Sequence, residues 1–126
     1  MNKYRFAISI HFKSDYDVEK LDEILKIQPT KITPLEKSLG KEKSAKFYYK
    51  TKEMTDIYTD NMFEDFVAQI APNLAPLPQI LKENNGTCVF RIVFDEISEK
   101  PCLSLSNKTL GILHNLGASY EVDFIV

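Results

Sequence analysis

Tyr4-Arg5-Phe6-Ala7-Ile8-Ser9-Ile10-His11-Phe12 sets a large apolar side chain at every even position and a polar or small one at every odd position. Successive side chains on a strand point to opposite faces, so this run buries one face and leaves the other in water. The chain closes in the same style. Tyr120, Val122, Phe124 and Val126 alternate with Glu121, Asp123 and Ile125. Together the two runs predict an antiparallel or mixed sheet covered by helices on one side. They set an architecture and name no reaction.

Between these ends the periodicity changes several times. A first helix is expected to start near Asp17, capped by Asp15 or Asp17, with Val18, Leu21, Ile24 and Leu25 as its apolar stripe and Pro29 as its end. Residues 30–44 have no clear period and carry Lys31, Glu36, Lys37, Lys41, Glu42 and Lys43, so they read as a solvated loop bent at Gly40. Residues 47–52 form a short aromatic strand. A second helix begins near Asp60, with Phe63, Phe66, Val67 and Ile70 at helical spacing. Proline removes a backbone donor and clashes inside a helix, so a break is expected at 72–75 and a separate short helix at 76–83. Asn84-Asn85-Gly86 is a stop and turn.

Residues 87–95 read as the best interior strand. Cys88, Phe90, Ile92 and Phe94 share one face, and Val89 and Val93 make the other partly apolar. After a polar hairpin at 96–100, Pro101 opens an edge-like strand with Leu103 and Leu105 inward and Ser104 and Ser106 outward. Asn107 is the expected N-cap of a third helix striped by Leu110, Leu113 and Leu116, and Gly117 fits the left-handed residue that closes it. The predicted fold is α+β in one domain, 1–126. It is a single twisted sheet of about five strands with helices mainly on one face and ferredoxin-like, split β-α-β elements.

Composition narrows the class. The 126 residues are 44% hydrophobic and 27% charged, with a formal charge of -2, as an ordinary globular domain has. That balance argues against nucleic acid as a partner. No apolar run approaches the roughly 20 residues that span a bilayer. Arg5 and His11 interrupt the only apolar stretch near the N-terminus, so no signal peptide is expected and the reading is cytoplasmic. Cys88 and Cys102, both in expected strands, read as small buried hydrophobes in a reducing compartment. No CxxC or HxxxH spacing occurs, so neither metal nor cofactor is expected.

Several of these pieces also occur together elsewhere. Phe6-Ala7-Ile8-Ser9-Ile10, then Leu25-Lys26-Ile27-Gln28-Pro29-Thr30, the proline-bearing second helix, and residues 113–123 with Gly117 resemble the small bacterial proteins grouped as domain of unknown function 4279. Ile27-Gln28-Pro29-Thr30 is the most characteristic piece. Members of that group commonly carry a glycine-rich loop and a tryptophan strand after the tetrad. Here the loop is longer and lysine-rich, and Tyr48 or Tyr49 stands where the aromatic is expected. The resemblance implies an α+β fold, a bacterial cytosolic setting and no known activity. It leaves open the role of an immunity protein that neutralises a toxin.

The residues offer few catalytic groupings. His11 and His114 are the only histidines, and nothing in the sequence brings them together, so both read as surface residues. No glycine-rich phosphate loop, GxSxG or Cys–His signature appears. Asp95 and Glu96 end a strand, Glu121 and Asp123 occupy the polar face of the last strand, and Arg5 and His11 lie on the polar face of the first; these six are the candidate partner-binding residues. Acidic faces speed association with basic partners. The expected function is therefore a non-enzymatic, intracellular protein-binding module. In its sharper form it is an immunity protein occluding a cognate toxin domain. The competing readings are a small-ligand pocket between the second helix and the sheet, and an accessory domain that dimerises through the edge strand at Pro101. The packing side of this reading has a direct check. Phe90→Ala is expected to cost about 3–5 kcal/mol in chemical denaturation, and a loss under about 1 kcal/mol removes that strand from the core.

Overall fold

The sheet has the order β2-β3-β1-β4-β5, which puts β1 (Lys3–Phe12) at its centre. The computed structural model describes residues 3–13, 16–33, 45–55, 57–96 and 103–125. β1 is antiparallel to β3 (Ala45–Lys50) on one side and to β4 (Gly86–Glu96) on the other. β2 (Lys31–Thr33) adds antiparallel to β3, and β5 (Ala118–Phe124) adds parallel to β4. The result is a mixed sheet of an α+β domain, as the alternation at the two ends of the chain predicts.

The register puts the apolar positions on one surface. Ile8 lies between Tyr49 and Phe90, and Ile10 between Phe47 and Cys88. Every even residue of β1 from Tyr4 to Phe12 is at most 3% exposed. On this floor sit α1 (Leu21–Leu25), α2 (Asp60–Ile70), α3 (Leu77–Glu83) and α4 (Asn107–Asn115). Their buried leucines, valines and phenylalanines share one core cluster with the even side of β1. Aromatic edges fill its middle: Phe6 meets Phe63 at 5.4 Å between ring centres, and Phe66 meets Phe90 at 6.1 Å. Ala7 and Val93 are also buried but lie outside that cluster, on the opposite surface of the sheet.

Four local expectations need correction. The first helix is a 3-10 turn, Val18–Lys20, running into α1, and it stops at Lys26 in the left-handed region (φ 55°), ahead of Pro29. The carbonyl of Leu25 is then free to accept from Asn73 Nδ2 at 3.0 Å, a long-range contact that sequence period does not reveal. Residues 31–33, expected to be loop, form β2, a strand too short to show alternation. The rest of that expected loop, 34–44, lies outside the described residues, as do Cys102 and residues 97–100 of the hairpin expected at 96–100, whose Glu96 ends β4.

The third correction concerns the strand expected after Pro101. Residues 103–106 keep its alternation, since Leu103 and Leu105 pack on the core, yet they join no sheet. Their amides bond to carboxylates of α2 instead: Ser104 N donates to Asp60 Oδ2 at 2.8 Å and Ser106 N to Glu64 Oε2 at 3.0 Å. The described sheet edges are β2 and β5, so an edge-to-edge dimer loses the strand on which it was expected to rest. The fourth correction is the cap of α4, which is Ser106 and not Asn107. Ser106 Oγ accepts from Thr109 N at 3.2 Å. β4, α4 and β5 then form one β-α-β crossover. Gly117, at φ 67°, turns the chain directly from α4 into β5.

Two glycines test the packing in opposite directions. A Cβ at Gly86 falls 2.6 Å from Phe12 Cε1 and 2.7 Å from Leu81 Cδ2, both in the packed interior. One at Gly111, inside α4, meets nothing within 4 Å. Gly86→Ala is expected to destabilise by about 1–3 kcal/mol. Gly111→Ala is expected to stabilise by about 0.5–1 kcal/mol, because alanine is the better helix former. Urea denaturation of the two variants measures both.

Candidate functional site

Odd residues of β1 look away from the helices, and the register collects their neighbours. Ser9 lies between Tyr48 and Val89, and His11 between Lys46 and Thr87. Ala7 lies between Lys50 and Arg91, and Val93 between Arg5 and Asp123. Among the described residues no helix packs on this surface. The charges on it are sorted by strand. Lys31, Lys46 and Lys50 stand on β2 and β3, whereas Asp95, Glu121 and Asp123 stand on β4 and β5.

The carboxylates expected to meet a basic partner already have cations beside them. Arg5 Nη1 donates to Asp95 Oδ2, and this bond is the largest cause of a raised Arg5 pKa. Arg91 Nε lies 3.2 Å from Glu121 and 3.7 Å from Asp123. Glu96 ends β4 beside Lys3 Nζ, at 3.4 Å. Such partly exposed pairs stabilise a fold by only about 0–1 kcal/mol, but they neutralise the acidic side. The structure therefore brings together Arg5 with Asp95, and Glu121 with Asp123. It leaves Glu96 at the sheet end and His11 roughly 20 Å from Arg5 along β1, at about 3.3 Å per residue.

The side of the face that sequence reading missed is cationic. A hollow of about 610 Å³ opens there, lined by Ser9, His11, Lys31, Lys46, Tyr48 and Arg91 among others. Its floor is made of small side chains, Ser9, Thr87 and Val89, and its walls of long ones. Arg91 Nη1 donates to Ser9 Oγ at 2.6 Å, which holds the guanidinium across β1. Burial, then Lys46 and Lys13, keep the His11 pKa below the usual imidazole value. The alternation Lys46-Tyr48-Lys50 carried this signal, but Lys31 was hidden in the stretch read as loop.

Two further features belong to the helical side. A shallow groove of about 360 Å³ runs between α2 and β3, lined by Lys26, Ile27, Gln28, Tyr49, Phe66 and Asn73 among others. It lies where a pocket between the second helix and the sheet was expected. Cys88 is buried, which pushes its thiol up to about 12, so it is unreactive at neutral pH. Among the described residues no cluster of three or more His, Cys, Asp or Glu could hold a metal. No helix there is long and apolar enough to cross a membrane.

A family model described as a domain of unknown function, DUF4279, matches residues 2–126, essentially the whole chain. The chain belongs to that family. No curated protein and no solved structure matches it. In this DUF4279 chain the Ile27-Gln28 half of the characteristic tetrad lines the α2 groove. Its Thr30 ties β2 to β3, with the backbone N donating to Tyr48 O at 2.8 Å and Oγ1 accepting from Lys50 N at 2.9 Å. The tetrad thus has a structural task of its own.

Glu64 gives the fold a pH dependence. Its Oε2 accepts from the Ser106 hydroxyl and amide and from the Thr109 hydroxyl, and these bonds hold its carboxyl below the usual range. A depressed folded pKa contributes stability that is fully present above the ordinary glutamate value of about 4.3 and is lost as pH falls through the folded value. Thermal melts are expected to show wild-type Tm falling over that acid window. Glu64→Gln is expected to lower Tm at neutral pH and to flatten part of the fall.

Proposed function

We propose that this protein is a non-enzymatic protein-binding module whose working surface is the sheet face opposite the helices. The sharper form is an immunity protein that occludes a toxin domain. The observation that carries the reading is the one-sided roof: among the described residues, all four helices pack on the even side of β1. Five of the six candidate residues, Arg5, His11, Asp95, Glu121 and Asp123, lie on the other side. The 37 residues of the five strands, at about 3.3 Å rise and about 4.8 Å strand spacing, offer roughly 590 Å². That approaches the roughly 800 Å² a partner buries in a standard interface.

The charge sorting supports a protein partner over a uniform surface. A cationic half beside a half of paired carboxylates fixes orientation, since a partner must present opposite signs in the same order. Arg91, held between Ser9 and the two β5 carboxylates, is a pre-organised anchor of the kind that dominates interfaces.

The test begins with a toxin reading frame next to this gene. Its purified product is expected to form a one-to-one complex that protects β1, β3 and β4 amides from hydrogen exchange. Joint Glu121→Lys and Asp123→Lys substitution is expected to weaken the complex by about tenfold or more without unfolding the domain, as circular dichroism checks. Protection confined to α2–α4, or charge reversal without effect on binding, overturns the reading.

A further inference from the structure

We propose that the cationic hollow between β2 and β4 binds a small molecule carrying two or more phosphate groups. The inference concerns one end of the sheet face and stands independently of protein docking there. Its volume of about 610 Å³ falls within the range of roughly 300–1,000 Å³ typical of small-molecule sites.

The lining specifies the charge of the occupant. Lys31 projects from β2, Lys46 from β3, His11 from β1 and Arg91 from β4, and none of the described lining residues is acidic. Four adjacent strands spread these groups over about 14 Å, too far for one phosphate and suited to a chain of them. Among the described residues neither Lys31 nor Lys46 has an ion pair, in contrast to Arg5 and Arg91. Lys46 stands directly opposite His11 across the β1–β3 ladder, and Lys13 follows the last residue of β1. Burial first, and then the neighbouring Lys46 and Lys13, disfavour protonation of the imidazole and depress the His11 pKa. An inserted polyanion reverses the balance: it screens the lysines from each other and favours imidazolium. Hydroxyls of Ser9, Tyr48 and Thr87 add donors to phosphate oxygens along the same wall. The guanidinium of Arg91, already fixed by Ser9, reaches the hollow without further ordering.

The chain holds two histidines, His11 in the hollow and His114 exposed on α4. Proton NMR of the two imidazoles therefore carries its own control. At low ionic strength, inorganic tripolyphosphate and ATP are expected to shift the His11 resonances saturably and to raise its pKa while His114 stays in place. Lys46→Glu is expected to weaken tripolyphosphate binding by about tenfold or more, as loss and reversal of a close charge should. Lys82→Glu on α3, with the same change in net charge, is expected to leave it unchanged. Circular dichroism of both variants checks that the fold persists. If both histidines move alike, or both lysine variants weaken binding equally, the effect is diffuse charge and the site is lost. If hexaglutamate shifts His11 as strongly as tripolyphosphate, the hollow takes acidic peptide and the proposal also fails. Tripolyphosphate binding is read on the wild-type protein without a toxin, and the toxin complex without phosphate, so the two readings fail separately.

Discussion

The pairing of β1 on both edges is the constraint on which the rest depends. Its backbone groups are taken up by β4 on one edge and, on the other, by β3 from Ala7 onward and by Thr51 and Met54 at Phe6 and Tyr4. That pairing fixes the register, and the register fixes both surfaces at once. Even residues become the floor on which the four helices pack. Odd residues become the centre line of the opposite face. A slip of one position would move Phe6, Ile8 and Ile10 into water and Arg5 and His11 into the core, a change the apolar cluster does not permit.

Several carboxylates among the described residues hold structure. Asp60 and Glu64, one turn apart on α2, take the amides of Ser104 and Ser106 and so dock the segment leading into α4. On the sheet, Asp95, Glu121 and Asp123 meet arginines. Once those acids are matched, the surface available for new electrostatic work is the lysine side, around His11. The face therefore has two electrical halves, one whose carboxylates pair with arginines and one whose lysines have no acidic partner among the described residues.

The same ordering explains how far the residues could be read in advance. β1, β4, β5, α2 and α3 were legible because each carries a sustained period of two or of 3.6, punctuated by Pro72, Pro78 and Gly117. β2 was not, since three residues cannot establish a period. The stretch 103–106 misled for the opposite reason: its Leu-Ser-Leu-Ser alternation is that of a strand, but extended backbone can spend its hydrogen bonds on side-chain carboxylates as well as on a neighbouring strand. Five of the six candidate residues, Arg5, His11, Asp95, Glu121 and Asp123, share the surface away from the helices, yet which of them pair with one another depended on distances across strands far apart in sequence.

The chain by itself determined most of the core, because burial follows local alternation and amphipathic spacing, and these are properties of adjacent residues; Ile24, Leu110, Tyr120 and Phe124 fit those patterns yet stand exposed, the last two on the edge strand β5. It also determined that a mixed sheet would be roofed by helices on one side. Only the tertiary structure decided the order of the strands, and with it the neighbours of every charge. Lys31, Lys46, His11 and Arg91 come from four strands whose adjacency no short segment encodes. The hollow they share exists only because the long-range ladders set those strands side by side.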